Sequence, residues 1–204
     1  MNQPLTRSPT RTRSRVRPQL VLYPGAGSDR EHSSLIRIES EIAPTPCVRA
    51  DFAYRRQGRR APDRAPVLMQ AVVDEVAALP ARSRRPLVLG GRSMGGRICS
   101  IVVADGLVVA AGLVLISYPL HPPGKPDRLR VEHLSRITVP CLFVQGTSDA
   151  FGGPDELSEW TSTIPGDDTH VWVEGRGHDL RSSDQLIAEA VATWLETTIR
   201  RPAG

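Results

Sequence analysis

From residue 19 onward, continuous apolar runs alternate with segments whose apolar positions recur every three or four residues. The run "QLVLY" (19–23) predicts a short buried strand, stopped by the turn-forming Pro24-Gly25-Ala26-Gly27. "SDREHSSLIRIES" follows as a helix, with Ser28 or Asp29 as its expected cap. "TPCVRADFAY" (45–54) reads as a second strand, and an Arg/Gly/Pro loop runs from it to Arg64. In "APVLMQAVVDEVAALP" (65–80), Val67, Leu68, Ala71, Val72, Val76 and Leu79 lie at helical spacing, and Pro80 ends the element. "PLVLG" (86–90) is the third strand and "MGGRICSIVVAD" the helix leaving it. "AGLVLISYP" (111–119), "ITVPCLFVQG" (137–146) and "THVWVEG" (169–175) read as strands four to six. "GPDELSEWTSTI" is a short helix before the last of these, and "SSDQLIAEAVATWLETTI" (182–199) an amphipathic helix after it.

Strands that are apolar throughout, each followed by a helix, imply a parallel sheet covered on both faces. The predicted class is α/β: a doubly wound, mostly parallel sheet of about six strands. "PLHPPGKPDRLRVEH" (119–133) has no clear period and several prolines, so it reads as a loop crossing the carboxyl edge of the sheet. In open sheets of this kind, that edge is where sites form.

Length and charge refine this picture. A chain of 204 residues can bury one core, and one domain over 19–204 is expected after a basic tail over 1–18. The tail holds Arg7, Arg11, Arg13, Arg15 and Arg17 and no acid, while the remainder is close to neutral, so the overall charge of +4 belongs to the tail. Its Pro/Ser/Thr/Arg composition predicts disorder. It suits contact with nucleic acid or an acidic membrane, or a transit peptide, but an incidental extension is the simplest reading. No apolar run approaches the roughly 18–20 residues of a membrane span, and no secretory leader is evident. Cys47, Cys99 and Cys141 all fall in apolar segments, which points to buried thiols rather than a disulfide framework and to a cytoplasmic setting.

Candidate chemistry begins with "LVLGGRSMGG" (87–96), which places Ser93 between Gly91 and Gly95 directly after a strand. G-x-S-x-G is the spacing of a nucleophile elbow, although glycine and serine are also ordinary strand-end residues. A serine nucleophile needs a base, an acid to orient it, and donors for the oxyanion. Where this elbow occurs in doubly wound sheets, the chain order is serine, acid, histidine. Asp149 follows the fifth strand in "GTSDAFG", and His178 follows the sixth in "GRGHDL". His32 comes too early, His121 and His133 flank the wrong strand, and His170 starts a strand at the opposite edge. Asp155 is the rival acid, at a helix start where a carboxylate also suits the macrodipole. Asp179 reads as a helix-approach residue. The expected oxyanion donors are the backbone N–H groups of Met94 and, in the loop after the first strand, Ala26. Nucleotide binding is disfavoured, because "GAGSDR" matches neither G-x-x-x-x-G-K-[ST] nor G-x-G-x-x-G.

The segments "YPGAGSDREHSSL", "DFAYRRQGRRAPDRAPVL", "LVLGGRSMGGR", "YPLHPPGKPDRLRVEHL" and "ITVPCLFVQGTSDAFG", with a terminal "GHDL", resemble a small α/β-hydrolase family. Its bacterial members are labelled dienelactone-hydrolase-like, and its eukaryotic relatives include a testis-expressed protein and a subunit of a histone acetyltransferase complex. The resemblance spans about residues 19–199 and implies Ser93 as nucleophile, Asp149 as acid and His178 as base. Two features depart from it. Pro24 stands where relatives usually carry a histidine, and the elbow holds serine where true dienelactone hydrolases use cysteine, so their substrate is not carried over.

Arg55, Arg56, Arg59, Arg60 and Arg64 crowd one loop near the carboxyl edge, and Arg92 and Arg97 flank the elbow. Guanidinium forks there would hold an anionic substrate group, with Arg59, Arg60 and Arg92 as candidates. The alternative, which we prefer, is a solvated cationic face with Arg92 paired to a buried acid such as Asp51. The connection between the fourth and fifth strands leaves room only for a minimal lid, which disfavours a long-chain triacylglycerol lipase. The expectation is therefore a serine hydrolase on a small acyl ester or thioester, needing no metal or organic cofactor. A hydrolase-fold interaction module and a small peptidase are the alternatives.

Overall fold

The computed structural model describes residues 16–80 and 85–199. Most of the basic tail, residues 1–15, lies outside them. Six strands form one sheet: β1 (Gln19–Tyr23), β2 (Cys47–Arg49), β3 (Leu87–Arg92), β4 (Gly112–Ile116), β5 (Cys141–Gly146) and β6 (Asp168–Val173). Their order is β2-β1-β3-β4-β5-β6, and every neighbouring pair is parallel.

The helices are α1 (Ser33–Glu41), α2 (Ala53–Arg56), α3 (Ala65–Ala77), α4 (Met94–Ala104), α5 (Pro154–Thr161) and α6 (Asp184–Trp194). Because side chains alternate along a strand, each central strand feeds two cores. Leu20, Leu22, Val114, Ile116 and Val144 pack against α1 and α6 through Leu35, Ile38, Ile187 and Val191. Val21, Tyr23, Leu89, Leu115 and Phe143 pack on the other face with Leu68 and Val72 of α3 and Ile98 and Val102 of α4. The unbroken apolar runs are thus explained by burial on both sides.

The sequence expectation overextends several elements. β2 keeps only three residues of the expected 45–54, because it is an edge strand with β1 alone to pair with. Beyond it the chain turns into α2, which tucks Phe52 and Tyr54 under the first loop, with Phe52 stacked on Tyr23 at 4.6 Å. β5 starts at Cys141, after a single helical turn at Leu134–Arg136 and Pro140, which lacks an N–H. The cap of α1 is His32, whose ring nitrogen accepts from the Ser34 N–H; Ser28 and Asp29 lie in the preceding turns. The last turn of the final helix, Leu195–Ile199, widens to a π-helix.

The β4–β5 connection crosses the carboxyl edge without forming a helical lid domain. Strand order reverses between β1 and β3, and the loops leaving these two strands face each other across that crevice.

Candidate active site

Ser93 sits at the junction of β3 and α4 with φ 48° and ψ −116°, a conformation that costs an L-residue on the order of 1–3 kcal/mol. The turn is forced by close packing of its glycines. A Cβ on Gly91 would stand 2.0 Å from the Tyr23 carbonyl oxygen, and one on Gly95 would stand 2.6 Å from the carbonyl oxygens of Tyr23 and Pro24. The spacing G-x-S-x-G therefore reflects two places where backbone from β1 leaves no room for a side chain. Ser93 does not use its hydroxyl to cap α4. The oxygen instead lies 2.8 Å from His178 Nε2.

The other ring nitrogen, His178 Nδ1, lies 2.9 and 3.0 Å from the two carboxylate oxygens of Asp149. An ionised carboxylate only accepts, so Nδ1 carries the proton and Nε2 is left to accept from the Ser93 hydroxyl. The Asp149 side chain is fully buried. It is held by Gln145 Nε2 at 2.9 Å and by the Phe151 backbone N–H at 2.9 Å. The ring of Phe151 stacks on His178 at 3.9 Å and covers one face of the imidazole.

Gln145 was not singled out in the sequence. It sits in the apolar run of β5, its side chain fully buried, and also bonds the Tyr118 N–H, the Tyr118 carbonyl and the Gly152 carbonyl. A lone amide within such a run is a usable signal, since it must find partners there. The sequence pattern likewise marks Tyr54 only as a strand residue. Its hydroxyl donates to the Ala26 carbonyl at 2.9 Å and fixes the loop after β1. That loop touches the elbow, for a Cβ on Gly25 would lie 3.6 Å from Ser93 Cβ. Ala26 and Met94 both line the cavity above Ser93.

This cavity holds about 790 Å³ at the carboxyl ends of β1, β3, β5 and β6. Leu68, Met94, Ile98, Pro119 and Phe151 supply apolar wall, and Arg97 and Arg130 supply charge. Of the arginines named from sequence, Arg59 is bound bidentately to Asp63 at 2.8 and 3.0 Å on the exposed loop. Arg60 is exposed and does not line the cavity. Arg92 is buried and donates to the carbonyls of Asp179 and His178 and to Ser34 Oγ. The expected Arg92–Asp51 pair does not form. Asp51 is half-buried just after β2, where it binds the Arg30 backbone N–H and guanidinium.

Asp155 is exposed in the first turn of α5, where it favours the helix dipole. Among the other histidines, His32 lines the cavity but spends Nδ1 on Ser34. His133 is buried between Ser100 and Tyr118. His170 is stacked between Phe143 and Trp172.

Comparison with solved structures places the same architecture elsewhere. Est1E from Butyrivibrio proteoclasticus is 15% identical over 93% of this chain and 91% of its own, with a TM-score of 0.72. A dienelactone hydrolase from Anabaena variabilis is 14% identical over 89% and 87%, with a TM-score of 0.67. The type II thioesterase BorB from the borrelidin biosynthetic cluster is 17% identical over 88% and 93%, with a TM-score of 0.63. At these identities the likeness is one of fold. Residues 16–198 match the family described as "Alpha/beta hydrolase domain", and with nearly the whole described chain inside that match, the protein belongs to this family.

Proposed function

We propose that the protein is a serine hydrolase that cleaves a small acyl ester or thioester through an acyl-enzyme on Ser93. The observation that carries this reading is the unbroken line from Ser93 Oγ to His178 Nε2 to Asp149, with contacts of 2.8 and 2.9 Å. Ser93 Oγ attacks the carbonyl carbon while its proton passes to His178 Nε2, and Asp149 stabilises the imidazolium that results. The N–H groups of Met94 and Ala26 receive the negative charge that develops on the carbonyl oxygen. Collapse of the tetrahedral intermediate expels the alcohol or thiol, which takes the proton from His178, and leaves the acyl group on Ser93. Water then gives a proton to His178 Nε2 and attacks the acyl carbon. Release of the acid returns the proton to Ser93.

The fold likeness to a dienelactone hydrolase and a type II thioesterase, names that both denote acyl transfer to water, is in keeping with this chemistry. The β4–β5 connection forms no helical lid over the cavity, which suits a short acyl group better than a long lipid chain.

Fluorophosphonate labelling followed by peptide mapping tests the proposal without knowledge of the substrate. The expected result is one adduct, on Ser93, that disappears in Ser93→Ala. No adduct leaves the interaction-module reading in its place, and an adduct that persists in that variant overturns Ser93 as the nucleophile.

A further inference from the structure

Two guanidiniums in the cavity wall are left over by the chemistry just described. Arg97 lies one helical turn beyond Ser93 on α4, about 6 Å along the axis. Arg130 comes from the loop that crosses the carboxyl edge before the turn at Leu134–Arg136. Both are half-buried. Arg97 Nε is shut off from solvent and has no hydrogen-bond partner among the described residues. Among those residues, neither side chain forms an ion pair with a carboxylate.

The acids in the same wall are already committed, Asp63 to Arg59 and Asp179 to Arg181. Arg92 is taken up by carbonyl oxygens. The charge left facing the cavity is therefore positive. Burial first, and the like charge of Arg97 second, hold Arg130 below the usual guanidinium value. Two partly desolvated cations that repel each other across a cavity are unfavourable in the empty protein. An oxyanion seated between them would relieve both, since each planar fork can bind it bidentately.

We propose that Arg97 and Arg130 form an oxyanion subsite, so that the acyl substrate carries a carboxylate or phosphate at the end away from the scissile carbonyl. This rests on Ser93 being the attacking group, which fixes one end of the substrate. The apolar side chains of Leu68, Met94, Ile98 and Phe151 line the wall for the carbon chain between the two ends. The subsite differs from the exposed Arg59–Arg60 loop that the charge pattern of the sequence emphasises, and Arg130 is invisible to that pattern because its loop lacks any period.

Calorimetric titration of full-length Ser93→Ala protein separates binding from turnover. Three esters with the same six-carbon acyl chain serve as probes: ethyl hexanoate, monoethyl adipate and ethyl 6-(phosphonooxy)hexanoate. One of the two anionic esters is expected to bind more tightly than ethyl hexanoate, and the tighter one identifies the preferred group. Adding Arg97→Gln or Arg130→Gln should shrink that preference by about 10- to 150-fold, the loss expected for a hydrogen bond to a charged group. Arg130→Gln, on a loop, keeps the test open if Arg97→Gln does not fold. Equal affinity for all three esters, no binding of either anionic ester, or a preference that survives both arginine substitutions overturns the subsite. Failure of the nucleophile reading shows separately, as absence of fluorophosphonate on Ser93 in the wild-type protein, on which the titration does not depend.

Discussion

The Arg92 guanidinium donates to the backbone carbonyls of Asp179, at 3.0 Å, and His178, at 3.5 Å. The residue immediately before Ser93 thus holds the loop that carries the imidazole facing Ser93. Burial depresses the Arg92 pKa, and the charges of Asp184, Asp179 and Asp149 oppose that shift. The contact ties the end of β3 to the β6–α6 loop, two segments far apart in the chain.

Arg92→Met should therefore act on turnover and stability together. Removing the fork leaves the carbonyls without a donor, at roughly 1–3 kcal/mol for each that stays buried. It also frees the His178 backbone, and a displacement of about 1 Å at a catalytic group costs on the order of 10²-fold. Steady-state kinetics on a p-nitrophenyl ester are expected to show kcat down about 100-fold with KM little changed. Scanning calorimetry should show a melting point lower by several degrees. Arg92→Lys is expected to regain part of the stability and little of the rate, because one ammonium nitrogen cannot reach both the two carbonyls, which Nη2 holds, and Ser34 Oγ, which Nη1 holds. An unchanged kcat in Arg92→Met would mean that Asp149 alone orients the ring.

Asp149→Asn is expected to lower kcat by about 10³- to 10⁴-fold while the fold persists, because the amide cannot stabilise the imidazolium and favours the wrong tautomer. Asp155→Asn, on the exposed first turn of α5, should leave the rate nearly intact. Gln145→Leu should reduce both rate and stability. It strips a donor from Asp149 and orphans the Tyr118 N–H, the Tyr118 carbonyl and the Gly152 carbonyl in a buried region, at roughly 3 kcal/mol or more in total. Parallel kinetics and thermal melts of the three variants check these outcomes. A damaging Asp155→Asn would point to the other carboxylate.

Much of this site could be read from the chain because its parts are punctuated locally. Gly91, Ser93 and Gly95 share one turn, and Asp149 and His178 each follow an apolar run that ends at the same sheet edge. Strand order then brings them together. What stayed hidden depends on contacts distant in sequence. Tyr54 reaches Ala26 across 28 residues, and Arg92 reaches Asp179 across 87. Gln145 is a polar residue in a strand whose meaning appears only once Asp149 folds back over it. The five arginines of the 55–64 loop attracted notice through charge density, but density does not say which way a side chain turns. Arg59 turned to Asp63. The overextended second strand has a similar origin, since the apolar pattern of "DFAY" suits a strand or a short helix and only the missing neighbour beyond β2 decides.

The backbone of Ser93 gives a prediction independent of substrate. Its φ of 48° with ψ of −116° is open to glycine without a Cβ clash. Ser93→Gly should thus relieve on the order of 1–3 kcal/mol of strain, set against roughly 0.5–1 kcal/mol of added chain entropy in the unfolded state. Ser93→Ala keeps the strain. Calorimetry is expected to rank the melting point of Ser93→Gly above that of Ser93→Ala, with neither variant taking the fluorophosphonate label. The reverse order would show that the elbow is not strained in solution.

His133 makes stability depend on pH in a window set by its own burial. Its pKa is lowered to about 4, chiefly by desolvation and further by the charges of Arg97 and Arg136. In the unfolded chain a histidine titrates near 6.5. Between about pH 4 and 6.5 the unfolded state therefore binds more protons than the native state, so stability rises with pH across that range. The contribution is intact above pH 6.5, falls as the pH drops, and is fully lost below about pH 4. At about 1.4 kcal/mol per pKa unit the loss is on the order of 3 kcal/mol. The ring nitrogen Nε2 lies 2.8 Å from Ser100 Oγ and 3.0 Å from the Tyr118 hydroxyl. Glutamine at this position offers polar atoms that do not titrate. His133→Gln is expected to be less stable than wild type at pH 7.5, where the native packing is complete, and to show a shallower decline from pH 6.5 to 4.5 in urea melts. Parallel curves for the two proteins across that range would assign the acid sensitivity to other groups.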